Sequence, residues 1–577
     1  MSSRAEHASG HAAAGGSDPN PSTASRSGLR PVLVLALDGA TFDVIGPLAA
    51  RGQLPNLSAW MQAGAARPLP STTPPVTFPA WSTFMTGLEP GDHGVFDFSQ
   101  KIPGRYRIRF VNSTDRAGES IFRAVGRAGG RVLVLGLPAT YPPEPVAGLL
   151  VPGFDAPVSS GSDADSTSDP ALYRRIAARA GPWMRPDIDE SARDPGFHER
   201  AIETLLARIE RKTHFARTAL EEMQARDGRR PDLVTIVFAE SDTVGHHYWR
   251  DHDAASPRHD ATASPKRKDA IAAVHRALDR ACGEIRDAYG RDATCLVVSD
   301  HGMGGAARHV VHLNRHLADR GLLARRPQSS GAVDRLARSL RDGALRLLPP
   351  RIAQQLFRRA RGAAARLESA SRFGGLDWSR TRAFSEEVNT LPGVWINLAG
   401  REAFGCVRPD EYEQTRDLVI DALLDWKLPG GGPVVARAVR REDVYSGPYV
   451  ERAPDVLVEL ALCDGYGLSL VPTPWSPGTA SIRTLGDDEL GGGRGRGMNG
   501  THRRDGILIG LAPEPDGARI EPDSLPDRLG AVAPFIARTM GIDWQRERDA
   551  GIDASAPYSD AEDALVAARL RALGYLE

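Results

Sequence analysis

The stretch Val32-Leu-Val-Leu-Ala-Leu37, followed at once by Asp38-Gly39, decides how the chain is read. A short, wholly apolar run of this kind reads as a strand buried on both faces. Further apolar, β-branched runs follow at 131–137, 232–238, 294–298, 394–398, 456–460 and 506–511. Helical patterns lie between them, among them 269–289, 409–424 and 525–540, with Gly541 placed to stop the last. This alternation predicts an α/β fold, a three-layer sandwich whose mostly parallel central sheet carries helices on both faces.

Working outward, the 577 residues amount to three or four times the usual ~150 per domain, enough for a large core with insertions. The organisation expected is a disordered tail over 1–28, a catalytic α/β domain over 29–323 and 376–545, a helical Arg-rich insertion or cap over 324–375, and a C-terminal helical extension over 546–577. A Ser-, Asp- and Pro-rich surface loop is expected over 155–195. With 72 Lys+Arg against 73 Asp+Glu the formal charge is -1, which gives no reason to expect a nucleic-acid polymer as partner. Cys282, Cys295, Cys406 and Cys463 form no C-x-x-C pair, so neither a disulfide scaffold nor a thiolate metal site is expected. The first 28 residues lack a secretory apolar core and no later stretch reaches the ~18 apolar residues of a membrane span, so a soluble cytoplasmic protein is expected.

In open α/β sheets, ligands gather at the carboxyl ends of the strands. Asp38, Asp242 with His246, and Asp300 with His301 each follow an apolar run, and His502 stands just before Gly506-Ile-Leu-Ile-Gly. Six Asp and His side chains at four segment ends suit two borderline divalent ions, Zn²⁺ or Mn²⁺. Asp242 and His246 have the i,i+4 spacing of one helical face. Asp300 and His301 would diverge within a strand, so joint ligation needs them in the turn that leaves it, which Gly302 eases. Any one of these residues alone is as well read as a cap or turn former.

The nucleophile candidate lies in Val76-Thr77-Phe-Pro79-Ala-Trp81, with Gly87 ending the helical pattern. Pro79 suits a first helical turn, which puts Thr77 just before the helix N-terminus, where free N–H groups and the dipole favour phosphate. A hydroxyl there, activated by a metal, could attack phosphorus. The other reading is that Thr77 only caps the helix.

These segments resemble the alkaline phosphatase superfamily, specifically its type I phosphodiesterase/nucleotide pyrophosphatase branch. The resemblance rests on Leu35-Ala-Leu-Asp38-Gly-Ala-Thr-Phe-Asp43, Leu54-Pro-Asn-Leu57, Thr77-Phe-Pro, Thr86-Gly-Leu-Glu-Pro-Gly-Asp-His93-Gly94, Asp242-x-x-Gly-His246, Ser299-Asp-His-Gly-Met303 and Gly500-Thr-His502. It implies one metal site of Asp242, His246 and His502, and another of Asp38, Asp300, His301 and the Thr77 oxygen. It also implies an in-line attack by Thr77 and a phospho-threonine intermediate that water hydrolyses at the metal centre. One feature departs from the nucleotide pyrophosphatase pattern: an Asn that binds phosphate there is replaced by Phe98, beside the acidic Asp97. His93 reads as structural.

Twelve arginines between Arg325 and Arg372 face only Asp334, Asp342 and Glu368 over the same window. They read either as a solvated helical face or as a cap toward an anionic substrate or membrane surface. Arg494 and Arg496, in the Gly-rich run before His502, are candidate substrate-binding residues, the alternative being a plain loop. The expected activity is hydrolysis of phosphodiester or pyrophosphate bonds in a small phosphate-containing substrate. A phosphomonoesterase or phosphomutase, and a metal-binding relative without turnover, are the alternatives. The C/S-x-P-x-R pattern of sulfatases is absent, and so is the G-x-S-x-G elbow of serine esterases.

Overall fold

The computed structural model describes residues 28–156, 163–183, 196–326, 375–475, 478–490, 498–514 and 519–544, with Phe373 and a few positions between 558 and 570. Nearly all of the 1–28 tail, 157–162 and 184–195 of the expected 155–195 loop, the Arg-rich insertion from 327 to 372 and the 491–497 run with Arg494 and Arg496 lie outside the described residues. So does most of the C-terminal extension. Between the two loop pieces the surface-loop expectation fails: Asp169 caps a helix, Pro170–Ala180, whose Leu172, Tyr173 and Ile176 pack into the core.

The protein has the α/β sandwich architecture. Its central sheet has seven strands, in the order Ala65–Pro70, Asp505–Leu511, Thr294–Val298, Val32–Leu37, Leu233–Phe238, Val132–Leu137 and Gly148–Pro152. The last five of these pair in parallel, and Asp505–Leu511 runs antiparallel to both of its neighbours. Every residue of Val32–Leu37 is buried. Its side chains alternate between two separate cores, as strand geometry requires. Leu33, Leu35 and Leu37 pack beneath the helices Phe197–Asp227, Glu240–His252 and Ala270–Tyr289. Val32, Val34 and Ala36 pack against Thr77–Thr86, Ile121–Arg127 and Val532–Met540. A wholly apolar sequence is thus what a middle-layer strand needs.

Three further expectations change. The runs at 394–398 and 456–460 belong to a separate four-stranded antiparallel sheet, Ala383–Phe384, Gly393–Ile396, Val456–Leu460 and Val435–Arg440, with a core of its own. The helix Tyr412–Leu424 contributes Val419 and Leu423 to that core; a short apolar run does not encode which sheet it joins. The pattern at 525–540 is helical only over Val532–Met540: Arg528 is extended, and a 3₁₀ turn at Leu529–Ala531 leads into the helix. Gly302 does not use its conformational freedom. Its missing side chain makes room for the Asp505 carbonyl, which an added Cβ would approach to 2.2 Å.

No helix among the described residues is long and apolar enough to cross a membrane. Leu35→Ala on one face and Leu296→Ala on the other should each cost about 2–5 kcal/mol of stability in urea unfolding. A cost below ~1 kcal/mol at either position would mean that this face is not a packed core.

Candidate active site

Four chain segments meet at the carboxyl end of the central strands. Asp38 leaves Val32–Leu37, and Asp242 and His246 lie in the first two turns of Glu240–His252. Asp300 and His301 fill the short connection between Thr294–Val298 and Gly302–Val311. His502 comes from Gly500–Arg503, where it lies opposite Met303 on Gly302–Val311. The loops are stitched together. Gly39 N donates to Asp300 Oδ1 at 3.3 Å, Ala40 N to Ser299 Oγ at 2.9 Å, and Ser299 Oγ to the His301 carbonyl at 2.6 Å. Gly39, at φ +67°, lies against Asp242, and a Cβ there would come within 2.9 Å of Asp242 Oδ1.

Candidate ligand atoms fall into two groups, Asp242, His301 and His502, and Asp38, Asp300 and His301, each with its atoms within 4.8 Å of one another. His301 belongs to both. His246 joins the first group through Nε2, 3.2 Å from Asp242 Oδ1 and 2.9 Å from His502 Nε2. His502 Nε2 lies 3.5 Å from the same Asp242 oxygen. In the second group His301 Nε2 lies 3.5 Å from Asp38 Oδ1, 3.4 Å from Asp300 Oδ2 and 3.5 Å from Thr77 Oγ1.

The imidazole tautomers follow from their other nitrogens. His246 Nδ1 faces the Gly500 carbonyl at 2.9 Å, His502 Nδ1 the Pro75 carbonyl at 2.9 Å, and His301 Nδ1 the Gly302 carbonyl at 3.0 Å. A carbonyl only accepts, so each neutral ring carries its proton on Nδ1 and turns a bare Nε2 lone pair inward. With the rings neutral and the carboxylates ionised, the centre is lined by acceptors: three imidazole nitrogens and the oxygens of three carboxylates. Asp38 Oδ1 and Asp300 Oδ2 are buried and accept no hydrogen bond from the described residues. Such a donor set repels itself unless a proton or a cation stands among its members, and its nitrogen and oxygen chemistry fits divalent ions of the zinc or manganese type.

Burial sharpens the conflict. Thr77, Asp300 and His301 are 0% exposed and Asp38 1%, with the His502 side chain the most open at 11%. Burial, helped by the Asp242 charge, pushes the Asp38 carboxyl up to about 8. Burial and the charges of Asp38 and Asp242 hold Asp300 well above the usual carboxylate range. Asp242 goes the other way: burial would raise it, but His246 and His502 together hold it well below that range. Burial, then the neighbouring His502, keeps the His301 ring from protonating, and burial does the same to His502.

Thr77 is the first residue of the helix Thr77–Thr86, all ten residues of which are buried. The cap position falls to Val76, with no side-chain capping bond, so the Thr77 hydroxyl does not cap the helix; it faces His301. Gly87 ends the helix in the left-handed conformation, as expected. Trp81 was not singled out from the sequence. One helical turn after Thr77 on the same face, its Nε1 donates to Asp38 Oδ2 at 3.0 Å. The i+4 spacing was its only signal. Ser241 was missed in the same way, and its Oγ donates to the Asp38 carbonyl at 2.7 Å.

His93 is structural. Its Nδ1 accepts from Val95 N at 3.1 Å and its Nε2 meets Thr83 Oγ1 at 3.0 Å. Phe98 packs on Phe78 with ring centroids 4.5 Å apart, and Asp97 accepts from Thr390 Oγ1 at 2.7 Å. Arg494 and Arg496 lie outside the described residues. The chain flanking their run is tied to the site, with Met498 O accepting from Arg258 at 2.9 Å and Asn499 N donating to His246 O at 2.9 Å.

A stability prediction follows for protein stripped of divalent ions. A carboxyl raised on folding makes the native state bind more protons than the unfolded chain, so its stability falls as pH rises toward the folded pKa. Several histidines are depressed by burial and cost stability as pH falls toward and below their ordinary 6.5, so the carboxylates govern from about pH 7 to the Asp38 value of about 8. Stripped protein should melt at a higher temperature at about pH 7 than at pH 8 by circular dichroism, with a smaller difference in Asp300→Asn. A melting temperature that climbs across this window would contradict the electrostatics described.

Comparison with known proteins gives the family. No curated protein matches the chain. Among solved structures, phosphonoacetate hydrolase from Sinorhizobium meliloti 1021, in complex with phosphonoformate, aligns at 14% identity over 89% of this chain and 96% of that one, with a TM-score of 0.49. Human ectonucleotide pyrophosphatase / phosphodiesterase 5 aligns at 14% identity over the same shares, with a TM-score of 0.44. The family model of type I phosphodiesterase / nucleotide pyrophosphatase matches residues 32–462, a span that holds Asp38, Thr77, Asp242, His246, Asp300 and His301. The chain belongs to that family of phosphoryl hydrolases.

Proposed function

We propose that this hydrolase cleaves phosphodiester or pyrophosphate bonds of a small substrate with two divalent ions, zinc or manganese, and a phospho-threonine intermediate. The observation that carries the reading is the buried, all-acceptor cluster set against the Thr77 hydroxyl. Asp242, His246 and His502 would hold one ion. Asp38, Asp300, His301 and Thr77 Oγ1 would hold the other. Two such ions supply charge for the attacking and leaving oxygens of an in-line displacement and lower the pKa of a hydroxyl.

The chain itself supplies position. The N-terminus of Thr77–Thr86 opens at the reacting centre, where backbone N–H groups and the helix dipole favour an anionic phosphoryl group. Thr77 Oγ1 forms a bond to phosphorus, giving up its proton, while the bond to the leaving oxygen breaks and that oxygen takes up a proton; water then attacks the same phosphorus, releasing the rest of the substrate as a phosphomonoester and restoring the hydroxyl. Trp81 holds Asp38 by one carboxylate oxygen and leaves the other facing inward. Near-complete burial keeps bulk water from competing with the bound substrate. Phe98, packed on Phe78 where the related pyrophosphatases carry Asn, leaves phosphate recognition to other groups and argues against a nucleotide as the substrate.

All four cysteines are free thiols, which supports work in a reducing compartment such as the cytoplasm. Thr77→Ala should retain its metal and lose hydrolysis by at least ~100-fold; unchanged turnover would remove Thr77 from the mechanism. Active protein should contain about two divalent ions per chain by elemental analysis, fewer in His502→Ala, and none at all would sink the two-metal reading. Metal-loaded enzyme should cleave bis-nitrophenyl phosphate faster than nitrophenyl phosphate. The reverse order would make it a monoesterase.

A further inference from the structure

Lysine is scarce here. Only Lys101, Lys212, Lys266, Lys268 and Lys427 occur among 72 basic residues, and arginine fills the rest. A buried lysine in such a chain marks a place where the compact ammonium serves and the wide, planar guanidinium does not. Lys212 is one. It sits on the apolar side of Phe197–Asp227 with its side chain 2% exposed, its Nζ 2.8 Å from Glu240 Oε1. The rings of Trp183 and Phe238 enclose it, their centroids 5.4 and 5.8 Å from Nζ. The Glu240 side chain is 0% exposed.

Glu240 is the first residue of the helix that carries Asp242 and His246. Successive helical side chains point about 100° apart, so residues 240, 241 and 242 reach three different neighbours. Glu240 reaches back to Lys212, Ser241 bonds the carbonyl of Asp38, and Asp242 faces His246 and His502. Two of the three fix the rotation of the helix, and the third delivers a ligand. A buried ion pair is seldom kept for stability, since matched neutral replacements are often as stable or more so.

We propose that the Lys212–Glu240 pair is a positioning device that sets the rotation at which Asp242 and His246 meet His502, and so the affinity of that ion site. The proposal rests on the two-metal reading above. A purely structural pair would change stability and leave ion affinity alone; a positioning pair does the reverse.

The test is a calorimetric Zn²⁺ titration of the full chain after chelator treatment, with melting followed by circular dichroism. Lys212→Met combined with Glu240→Gln removes both charges. It should melt close to the parent while one of two Zn²⁺ affinities falls on the order of 10–100-fold and the other holds. Two unchanged affinities in this variant would overturn the positioning role and leave the two-metal reading intact. A parent chain that binds no Zn²⁺ would overturn both. Should the double variant fail to fold, Glu240→Gln alone, which keeps an acceptor for Lys212, should show a smaller loss confined to one ion. Unchanged affinity there would equally overturn the proposal.

Discussion

Three carboxylates and three imidazole lone pairs are held together at a point almost closed to water, and the surrounding fold is arranged around that repulsion. Asp38, Asp242 and Asp300 come from segments far apart in sequence, yet each is fixed by bonds that leave an oxygen facing the centre. Bringing like charges out of water costs several kcal/mol per ion unless opposite charge accompanies them. Lys212, a buried cation whose charge reaches Asp38, is already paired with Glu240. The carboxyl groups of Asp38 and Asp300 are accordingly driven toward protonation, while Asp242 stays charged where a second proton, on Nε2 of His246 or His502, faces it. Divalent cations resolve this conflict in the same place where a phosphoryl group would need them.

The sheet is what makes such a concentration affordable. Parallel strands direct their carboxyl ends to one edge, so Val32–Leu37, Leu233–Phe238 and Thr294–Val298 deliver their following residues to a shared locus. The two cores on either face hold those strands rigidly. Close backbone approaches complete the frame, and at Gly39 and Gly302 no side chain would fit. The Lys212–Glu240 pair extends the same logic one layer outward, from the ligands to the helix that presents them.

Much of this was legible in the sequence, for definite reasons. A carboxylate at or shortly after the end of an apolar run marks a strand end, so Asp38, Asp242 and Asp300 stood out before any geometry was known. Pro79 and Gly87 bracketed the helix of Thr77, although Thr77 proves to be its first residue and not its cap. Other features left weaker traces. Ala65–Pro70 carries two prolines and an arginine, tolerable only at the sheet edge it occupies. The helix Phe197–Asp227 has an apolar stripe through Ile202, Leu205 and Ile209, but Arg and Glu residues dilute it. Sheet membership at 394–398 and 456–460 was beyond reach because pairing partners are set by tertiary packing. The contact between His246 and His502, 256 residues apart, likewise needed the fold to close.

The central claim is that this acceptor cluster exists to hold two cations beside Thr77. Anomalous diffraction from crystals grown with Zn²⁺, collected on either side of the zinc absorption edge, tests it most directly. The account predicts two peaks, one at bonding distance from Asp242, His246 and His502, the other from Asp38, Asp300, His301 and Thr77 Oγ1, with zinc–ligand distances of roughly 2.0–2.2 Å. A cluster without anomalous density in crystals of active enzyme, or zinc bound only at other residues, would contradict it.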